Sequence, residues 1–147
     1  MIEIRPFVPD DLDAVYEIEL ESFSIPWTRE DLHRDAVLNN MAVYLVAVCE
    51  GKIIGYAGMW HVVNEGHITN IAVALPYRKM GAGQLLIEGL ERIAREREMI
   101  GITLEVRMNN APAQRLYMRN GYTVEGIRKN YYADTKEDAL IMWKYWV

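Results

Sequence analysis

Short stretches of alternating hydrophobic and polar residues occur along the chain. Ile2 and Ile4 alternate with charged residues, and the runs 43–48 and 53–60 are rich in β-branched and aromatic residues. A period of two is typical of strands that bury one face, and the polar segment 50–52 between the two runs predicts a hairpin. The first half of the chain is therefore predicted to contain antiparallel strands.

Two stretches between the first strand and this hairpin have the 3.6-residue period of amphipathic helices. Leu12, Val15 and Ile18 recur at helical spacing and form one apolar stripe. Thr28, with an acidic residue three positions later, resembles a capping box and predicts a second helix that runs to about residue 38. Two helices are thus predicted ahead of the hairpin.

A longer amphipathic helix is predicted after Gly81, with its end at Gly101. Its predicted core-facing residues are Leu86, Leu90, Ile93 and Ala94, and its predicted water-facing residues are Glu88, Glu91, Arg92, Arg95 and Glu98. The strand that follows, 102–106, alternates apolar residues with Thr103 and Glu105, so that one face is buried and the other carries a carboxylate. Strand, helix and strand in this order predict a right-handed crossover and one parallel pair.

The chain ends in a predicted short helix and a second hairpin. Asn109 or Asn110 is positioned to cap the helix, and Gly121 lies just past its end. The runs 122–129 and 139–147 then predict two paired strands that complete the sheet.

The composition narrows the class of protein. With 147 residues, of which 51% are hydrophobic and 25% charged, the chain has the size of one soluble globular domain over 1–147. It has no long uninterrupted apolar run and no signal-peptide pattern, which predicts a cytoplasmic protein that does not bind membranes. A net charge of −5 argues against broad binding to nucleic acid.

Disulfide and metal chemistry are not expected. Cys49 is the only cysteine, so the chain cannot form an internal disulfide, and it is expected to pack as a small apolar residue. The histidines His33, His61 and His67 are scattered and give no plausible ligand set for zinc.

Residues 71–84 connect a predicted apolar strand to the long helix through a basic turn. Gly81 and Gly83 carry no side chains, so the first backbone N–H groups of the helix, which lack intrahelical partners, are exposed. Arg78 and Lys79 add formal charge to the partial positive charge of the helix N-terminus. The turn is therefore predicted to bind a phosphorylated ligand. The alternative is that the glycines only allow helix and strand to pack closely.

Two common phosphate-binding motifs do not fit this turn. A P-loop requires Gly-Lys followed by Ser or Thr, whereas Gly83 is followed by Gln84 and Leu85. A dinucleotide-binding fingerprint requires a small residue where the chain has Leu86, and it should follow the first strand of its unit. The pattern Arg-x-x-Gly-x-Gly over 78–83 instead resembles the pyrophosphate-binding loop of the GCN5-related N-acetyltransferases (GNAT), which hold acetyl-coenzyme A (acetyl-CoA).

Further motifs extend the resemblance to a narrower group of that superfamily. In the second half of the chain they are Leu104-Glu105-Val106-Arg107, Asn110-Ala111-Pro112-Ala113, Leu116-Tyr117 and Asn120-Gly121-Tyr122. Two loops complete the set: Ile25-Pro26-Trp27-Thr28, and Lys129-Asn130-Tyr131-Tyr132 followed by Glu137-Asp138-Ala139. With these loops the chain resembles the ribosomal-protein alanine N-acetyltransferases of the RimI type nearly from end to end.

This resemblance implies a fold and a set of site residues. The fold is the mixed α/β (α+β) GNAT acyl-CoA N-acyltransferase fold, a central, mostly antiparallel sheet with a splayed parallel pair and helices on both faces. Glu105 is implied to accept the proton of the amine and Tyr117 to donate one to the leaving thiolate. The implied acetyl-CoA contacts are the backbone of Ile71, Ala72 and Val73, the turn residues Arg78, Lys79, Met80, Gly81, Ala82, Gly83 and Gln84, and Asn110. Trp27, Tyr131 and Tyr132 are the candidates for the rim that binds the acceptor.

The residue types suit this chemistry by themselves. An α-amine has a pKa of about 7.7–8.0, so most of it is protonated at neutral pH and needs a base such as Glu105 before it can attack a thioester. Tyr117 keeps its proton at neutral pH and could donate it to a thiolate. The structural alternatives are that Glu105 pairs with Arg107 or faces water, and that Tyr117 is a core aromatic.

The predicted reaction is direct acetyl transfer from acetyl-CoA to the N-terminal α-amine of a protein, a ribosomal protein beginning with alanine or serine. Acetylation of a lysine or a small amine on the same fold is one alternative, and a non-catalytic acyl-CoA-sensing module is another. Thr69, where the family often has an aromatic residue, and Asn109, where it often has serine, leave acceptor selectivity open. The sequence does not determine the oligomeric state, with a monomer slightly favoured.

Overall fold

Residues 1–146 are described by a computed structural model and form a mixed sheet with helices on both faces. The strands are β1 (Ile2–Pro6), β2 (Ala42–Cys49), β3 (Lys52–Val62), β4 (Glu65–Val73), β5 (Gly101–Arg107), β6 (Thr123–Arg128) and β7 (Ala139–Tyr145). The α-helices are α1 (Leu12–Ser22), α2 (Arg29–His33), α3 (Ala82–Glu96) and α4 (Ala111–Arg119). Val147, the last residue of the predicted closing strand, lies outside the described residues.

The strands of the described chain form one seven-stranded sheet in the order β1-β2-β3-β4-β5-β7-β6. Neighbouring strands run antiparallel except for the parallel pair of β4 and β5. The predicted sheet, mostly antiparallel with one parallel pair, is therefore confirmed. The predicted hairpin of β2 and β3 is also confirmed, and the positive φ angles of Glu50 and Gly51 are those that a tight two-residue hairpin turn requires.

The parallel pair of β4 and β5 is short. Glu65, Gly66 and His67 are aligned with Gly101, Ile102 and Thr103, and the ladder between the two strands ends there. Directly after these paired residues β4 has a bulge against β3. Met59 of β3 is opposite Ile68, and Gly58 is opposite Asn70, so Thr69 between them has no partner in the ladder. A bulge bends its strand and increases the local twist. We call the space between 68–73 of β4 and 104–107 of β5 the β4–β5 gap.

Each face of the sheet has its own hydrophobic core. On one face α3 and α4 cover a cluster that includes Leu86, Leu90, Leu104 and Tyr117. On the other face α1 and α2 cover a second cluster, which includes Leu12, Val15, Ile18, Leu32, Tyr56 and Ala72. The prediction of helices on both faces is therefore confirmed, and the apolar stripe predicted for α1 is buried.

The buried face of α3 contains a carboxylate that the helical pattern assigns to solvent. Glu91 is only 9% exposed. Its carboxylate accepts hydrogen bonds from the hydroxyl of Tyr122 at 3.1 Å and from the ammonium of Lys144 at 2.8 Å. The prediction that Glu91 faces water is wrong, because partners from outside α3 compensate for the burial of its charge.

α3 also ends earlier than predicted. Its last residue is Glu96, and the positive φ of Glu98 then turns the chain. Gly101 is instead the first residue of β5, where an added Cβ would lie 2.5 Å from the carbonyl oxygen of Lys144. Gly101 therefore allows β5 and β7 to pair closely and does not end the helix.

The predicted helix caps are observed. The hydroxyl of Thr28 accepts a hydrogen bond from the N–H of Asp31 at 3.0 Å, and the side-chain oxygen of Asn110 accepts one from the N–H of Ala113 at 3.2 Å. Each cap satisfies an N–H group that has no partner inside its helix. Beyond α2 a π-helical segment, Arg34–Leu38, carries the helical path to the predicted end.

The Glu91 contacts predict a measurable contribution to stability. Glu91→Ala should lower the free energy of unfolding by about 1–3 kcal/mol, because the Tyr122 hydroxyl and the Lys144 ammonium lose their acceptor. Glu88→Ala is the matched control on the exposed face of the same helix and should change this free energy by less than about 0.5 kcal/mol. Urea unfolding curves of the parent and of both variants give these free energies of unfolding. Equal effects would show that the buried contacts of Glu91 add nothing to stability.

Candidate active site

The turn that precedes α3 presents bare backbone N–H groups. Gly81 is the N-cap residue, has a φ of +92°, and has no side-chain hydrogen bond over the helix end. Because the first N–H groups of a helix lack intrahelical partners, those of Ala82, Gly83 and Gln84 are available to a ligand. Lys79 also has a positive φ, so two left-handed residues shape the turn. Turns of this kind bind anions.

The two glycines have different surroundings. A Cβ on Gly81 would meet nothing within 4 Å, so the glycine is required by its left-handed backbone and not by close packing. A Cβ on Gly83 would lie 3.2 Å from the side chain of Leu116 on α4. The packing alternative therefore applies to Gly83, while Gly81 leaves open space in front of the helix.

The side chain of Arg78 lies at the end of the β4–β5 gap. The Nε of Arg78 donates a hydrogen bond to the carbonyl of Val73 at 2.8 Å, which ties the turn to the last residue of β4. Met80 is half exposed. The side-chain amide of Gln84 is bound to Glu88 and Asn120, so the backbone of Gln84 is the part that faces the turn.

Residues 71–73 form the part of β4 that borders the gap. Ile71 and Val73 pack into the core under α3, and Ala72 packs into the core on the opposite face. β3 pairs with one edge of this segment, and on the other edge β5 supplies no ladder partner within the described chain. A strand edge of this kind offers free N–H and C=O groups to a ligand.

Glu105 lies on β5 beyond the last residue that pairs with β4, on the polar face of the strand. The guanidinium Nε of Arg128 is 3.7 Å from its carboxylate, and the Glu105 side chain is 27% exposed. Arg107 makes its ion pairs with Asp134 and Glu137. The alternative that Glu105 is the partner of Arg107 is therefore wrong.

Tyr117 is buried on α4. It is 5% exposed and packs edge-on against Tyr122, with 6.0 Å between the ring centroids. Burial raises the pKa of Tyr117, and the neighbouring Tyr132 raises it further. A phenol in this environment holds its proton throughout the neutral range, so Tyr117 can act as a hydrogen-bond or proton donor.

Tyr131 and Tyr132 pack against each other edge to face, with 5.1 Å between their ring centroids. Burial raises the pKa of Tyr131, and the carboxylate of Glu105 also raises it. Arg128 lies between the two residues, with its Nε 3.7 Å from the Glu105 carboxylate and its guanidinium carbon 5.9 Å from the Tyr131 ring centroid, so Tyr131 lies near Glu105. Burial raises the pKa of Tyr132 to about 12. The fold thus brings Glu105 and the two loop tyrosines together, and Tyr117 lies near enough to Tyr132 for that residue to affect its pKa.

The loop 23–28 meets the loop 129–138 through one side-chain contact. The hydroxyl of Ser24 donates a hydrogen bond to the carboxylate of Asp134. The indole of Trp27 is partly buried and lines a cavity of about 470 Å³, whose other walls include Asp35 on the segment after α2 and Trp60 on β3. The two loops of the proposed rim are therefore joined by this contact, while Trp27 faces the cavity beside Asp35 and Trp60.

Glu19 on α1 is 2% exposed, and its burial was not predicted from the sequence. Its carboxylate accepts hydrogen bonds from the hydroxyl of Tyr56, from the backbone N–H of Trp27 at 2.9 Å and from the amide of Asn70 at 3.5 Å. The available signal was its position four residues after Val15, on the apolar stripe of α1. Glu19 links the loop 23–28 to the strands β3 and β4.

Neither a membrane-spanning helix nor a metal-binding cluster occurs among residues 1–146. The helices there are not long and apolar enough to cross a bilayer. No three side chains of the types His, Cys, Asp or Glu lie together in that range as a metal ion would require.

An anion-binding helix N-terminus, an unpaired strand edge and a carboxylate beside buried tyrosines lie along one gap in the sheet. This arrangement is suited to a transferase that holds a phosphorylated acyl carrier and passes its acyl group to an amine. Comparison with known proteins agrees with that class. Residues 12–122 match the model of the Acetyltransferase (GNAT) family, and the chain belongs to this family.

The similarity to particular relatives covers nearly the whole chain. A Bacillus subtilis protein, named as a candidate ribosomal protein bS18-alanine N-acetyltransferase, is 44% identical over 95% of this chain and 93% of its own length. The crystal structure of the ribosomal-protein-S18-alanine N-acetyltransferase from Escherichia coli matches with a TM-score of 0.91 and 32% identity, over 99% of this chain and 94% of that one. The predicted resemblance is therefore confirmed.

A more distant structure shares the fold and contains a ligand. Arabidopsis thaliana NAA60, in complex with acetyl-CoA, matches with a TM-score of 0.88 and 21% identity, over 99% of this chain and 98% of that one. At this identity the match bears on the fold alone, which is the predicted GNAT fold.

Proposed function

We propose that the chain acts as a single catalytic domain that transfers the acetyl group of acetyl-CoA to the N-terminal α-amine of a protein. The acceptor in this proposal is a ribosomal protein that begins with alanine or serine. The observation that carries the proposal is that Glu105, Tyr131 and Tyr132 lie together beside the β4–β5 gap, with Tyr117 near Tyr132. The names of the Bacillus subtilis and Escherichia coli relatives support the acceptor class.

In this proposal the pyrophosphate of acetyl-CoA binds at the N-terminus of α3. The N–H groups of Ala82, Gly83 and Gln84 and the charges of Arg78 and Lys79 favour an anion there, and the open space in front of Gly81 leaves room for phosphate oxygens. Met80 would contribute through the backbone of the turn.

The pantetheine arm would extend along the edge of β4. Pantetheine contains amide groups, which can pair with the N–H and C=O groups that the segment 71–73 directs away from β3, apart from the Val73 carbonyl that Arg78 already binds. Asn110 lies at the start of α4, across the gap, where it would also contact the cofactor. The bound state of Arabidopsis NAA60 supports acetyl-CoA as the ligand of the shared fold.

The proposed chemistry needs a base for the amine and an acid for the leaving thiolate. Glu105 takes a proton from the α-ammonium, and the neutral nitrogen then attacks the thioester carbon to form a C–N bond. Backbone N–H groups of 71–73 would stabilise the negative charge that develops on the thioester oxygen, a contribution of roughly 3–4 kcal/mol for one fixed donor. The C–S bond then breaks, and Tyr117 gives its proton to the thiolate of coenzyme A. The nitrogen loses its second proton as the amide forms, and this proton restores the Tyr117 hydroxyl, directly or through water.

The acceptor would approach through the rim formed by Trp27, Tyr131 and Tyr132. Aromatic side chains around a narrow opening can hold an extended peptide and exclude a bulky first residue. The position of Tyr131 near Glu105 supports this part of the proposal, because the acceptor amine must reach the same carboxylate.

The assignment of the base predicts a specific kinetic defect. Glu105→Gln should keep coenzyme A binding and lower the turnover number by roughly 10²–10⁴-fold. Raising the pH above about 8 should recover part of the loss, because more of the α-amine is then already neutral. Steady-state kinetics with Glu125→Gln, an exposed change on β6, provide the matched control. Normal turnover of Glu105→Gln at neutral pH would remove Glu105 from the mechanism and favour the sensing module.

The acceptor class predicts a difference between peptides. A peptide with a free N-terminal alanine should be acetylated faster than the same peptide with a blocked N-terminus and an internal lysine, because only the first presents an α-amine at the end of an extended chain. Mass spectrometry of both products gives the site of acetylation. Rapid acetylation of the blocked peptide would contradict the N-terminal assignment and favour the lysine alternative.

A further inference from the structure

Arg107 ends β5 on the same strand face as Glu105, two residues further along. Its guanidinium makes two parallel hydrogen bonds to the carboxylate of Asp134, of 3.0 and 2.9 Å, and a longer one of 3.5 Å to Glu137. The guanidinium carbon also lies 4.0 Å from the ring centroid of Tyr132. With a further hydrogen bond of 3.4 Å to the hydroxyl of Thr135, one side chain of β5 contacts the loop 129–138 at four residues.

Other contacts of this loop reinforce the position that Arg107 sets. The carboxylate of Glu137 accepts a hydrogen bond from the N–H of Asn109 at 2.7 Å, and the N–H of Met108 donates to the carbonyl of Asp138 at 3.0 Å. Both donors belong to the connection from β5 to α4. The loop is thus held against the same connection that precedes the helix of Tyr117.

Asp134 is the point where two loops meet. It accepts the two hydrogen bonds of Arg107 and also the hydrogen bond of Ser24. Arg107 is the residue of β5 whose hydrogen bonds orient the Asp134 carboxylate toward Ser24 in the loop 23–28. We call the three side chains Ser24, Asp134 and Arg107 the loop clamp.

We propose that Arg107 is a positioning residue for the acceptor, because the loop clamp holds Tyr131 and Tyr132 beside Glu105 and closes the two loops of the acceptor rim against each other. The inference rests on the proposed function, since it assumes that these loops receive the acceptor. Arg107 takes no part in proton transfer. It acts on the geometry of the acceptor side of the site and not on the binding of the cofactor.

The charges of the clamp support this role. The hydrogen bonds from Ser24 and then from Arg107 lower the pKa of Asp134 to about 2, so its carboxylate is ionised throughout the range in which the enzyme is assayed. The groups that face the guanidinium are Asp134, Glu137 and Tyr132, and burial raises the pKa of Tyr132 to about 12. The clamp is therefore a permanent contact near neutral pH and not a titrating switch.

Arg107→Lys is the substitution that tests the paired hydrogen bonds of the clamp most specifically. Lysine keeps the positive charge but cannot form two parallel hydrogen bonds to one carboxylate. Arg107→Lys and Asp134→Asn should each raise the KM for the acceptor peptide by roughly 10–100-fold, as expected for the loss of charge-assisted hydrogen bonds. The KM for acetyl-CoA and the rise in melting temperature on adding coenzyme A should stay within about twofold of the parent values.

Arg92→Lys is the matched control, since Arg92 is an exposed residue of α3 whose ion pair with Glu96 is 3.9 Å long. It should leave both KM values unchanged. The rise in peptide KM for Arg107→Lys should be the same factor from about pH 6 to about pH 9, because neither partner of the clamp titrates there. A change in that factor with pH, or an equal rise in both KM values, would overturn the proposal.

A double variant tests whether the two residues act together. Arg107→Lys with Asp134→Asn should be little worse than either single change, because one contact is lost in all three proteins. Amide hydrogen exchange should also become faster at 130–138 in Arg107→Lys. Additive effects on the peptide KM, or faster exchange with an unchanged peptide KM, would contradict the positioning role. A parent enzyme that acetylates lysine or small amines but no N-terminal peptide would instead contradict the proposed function.

Discussion

The separation of β4 from β5 after three paired residues is the constraint on which the site depends. Thr69, the extra residue of the bulge opposite β3, bends β4 where its ladder to β5 ends. β3 continues to pair with β4 up to Val73, so one edge of β4 stays anchored while the other is left without a strand partner. In the proposed site this free edge, followed by the turn at Gly81, becomes the path of acetyl-CoA.

A buried polar network connects this strand to the acceptor side. The carboxylate of Glu19 binds Tyr56 of β3, the amide of Asn70 in β4 and the backbone N–H of Trp27. Asn70 directly precedes the segment proposed to hold the pantetheine arm. Loss of the hydrogen-bond donors of a buried carboxylate strongly destabilises a protein. We therefore infer that β4 and the loop 23–28 are held in fixed relative positions, while the loop 129–138 depends on the separate contacts of Arg107.

Structural features that depend on residues close together in the sequence were predicted correctly. The caps at Thr28 and Asn110, the hairpin at Gly51 and the glycine turn at Gly81 follow from neighbouring residues, and all are observed. Contacts between distant segments were not predictable in this way. The local pattern of α3 assigns Glu91 to solvent, because its partner Lys144 lies 53 positions later in the sequence. The proposed roles of Glu105 and Tyr117 came from motif resemblance, whereas Arg107 became visible as a candidate only when the loop that contains Asp134 was placed.

Amide hydrogen exchange with and without coenzyme A tests most directly whether the β4–β5 gap holds the cofactor. Binding should slow exchange at Ile71 and Val73 and at 82–84, since amides that lack a protein partner gain one from the ligand. Exchange at 45–48 of β2, which is paired with strands on both sides, should not change. Protection confined to segments outside the gap and the turn, with 71–73 unaffected by saturating coenzyme A, would contradict the account.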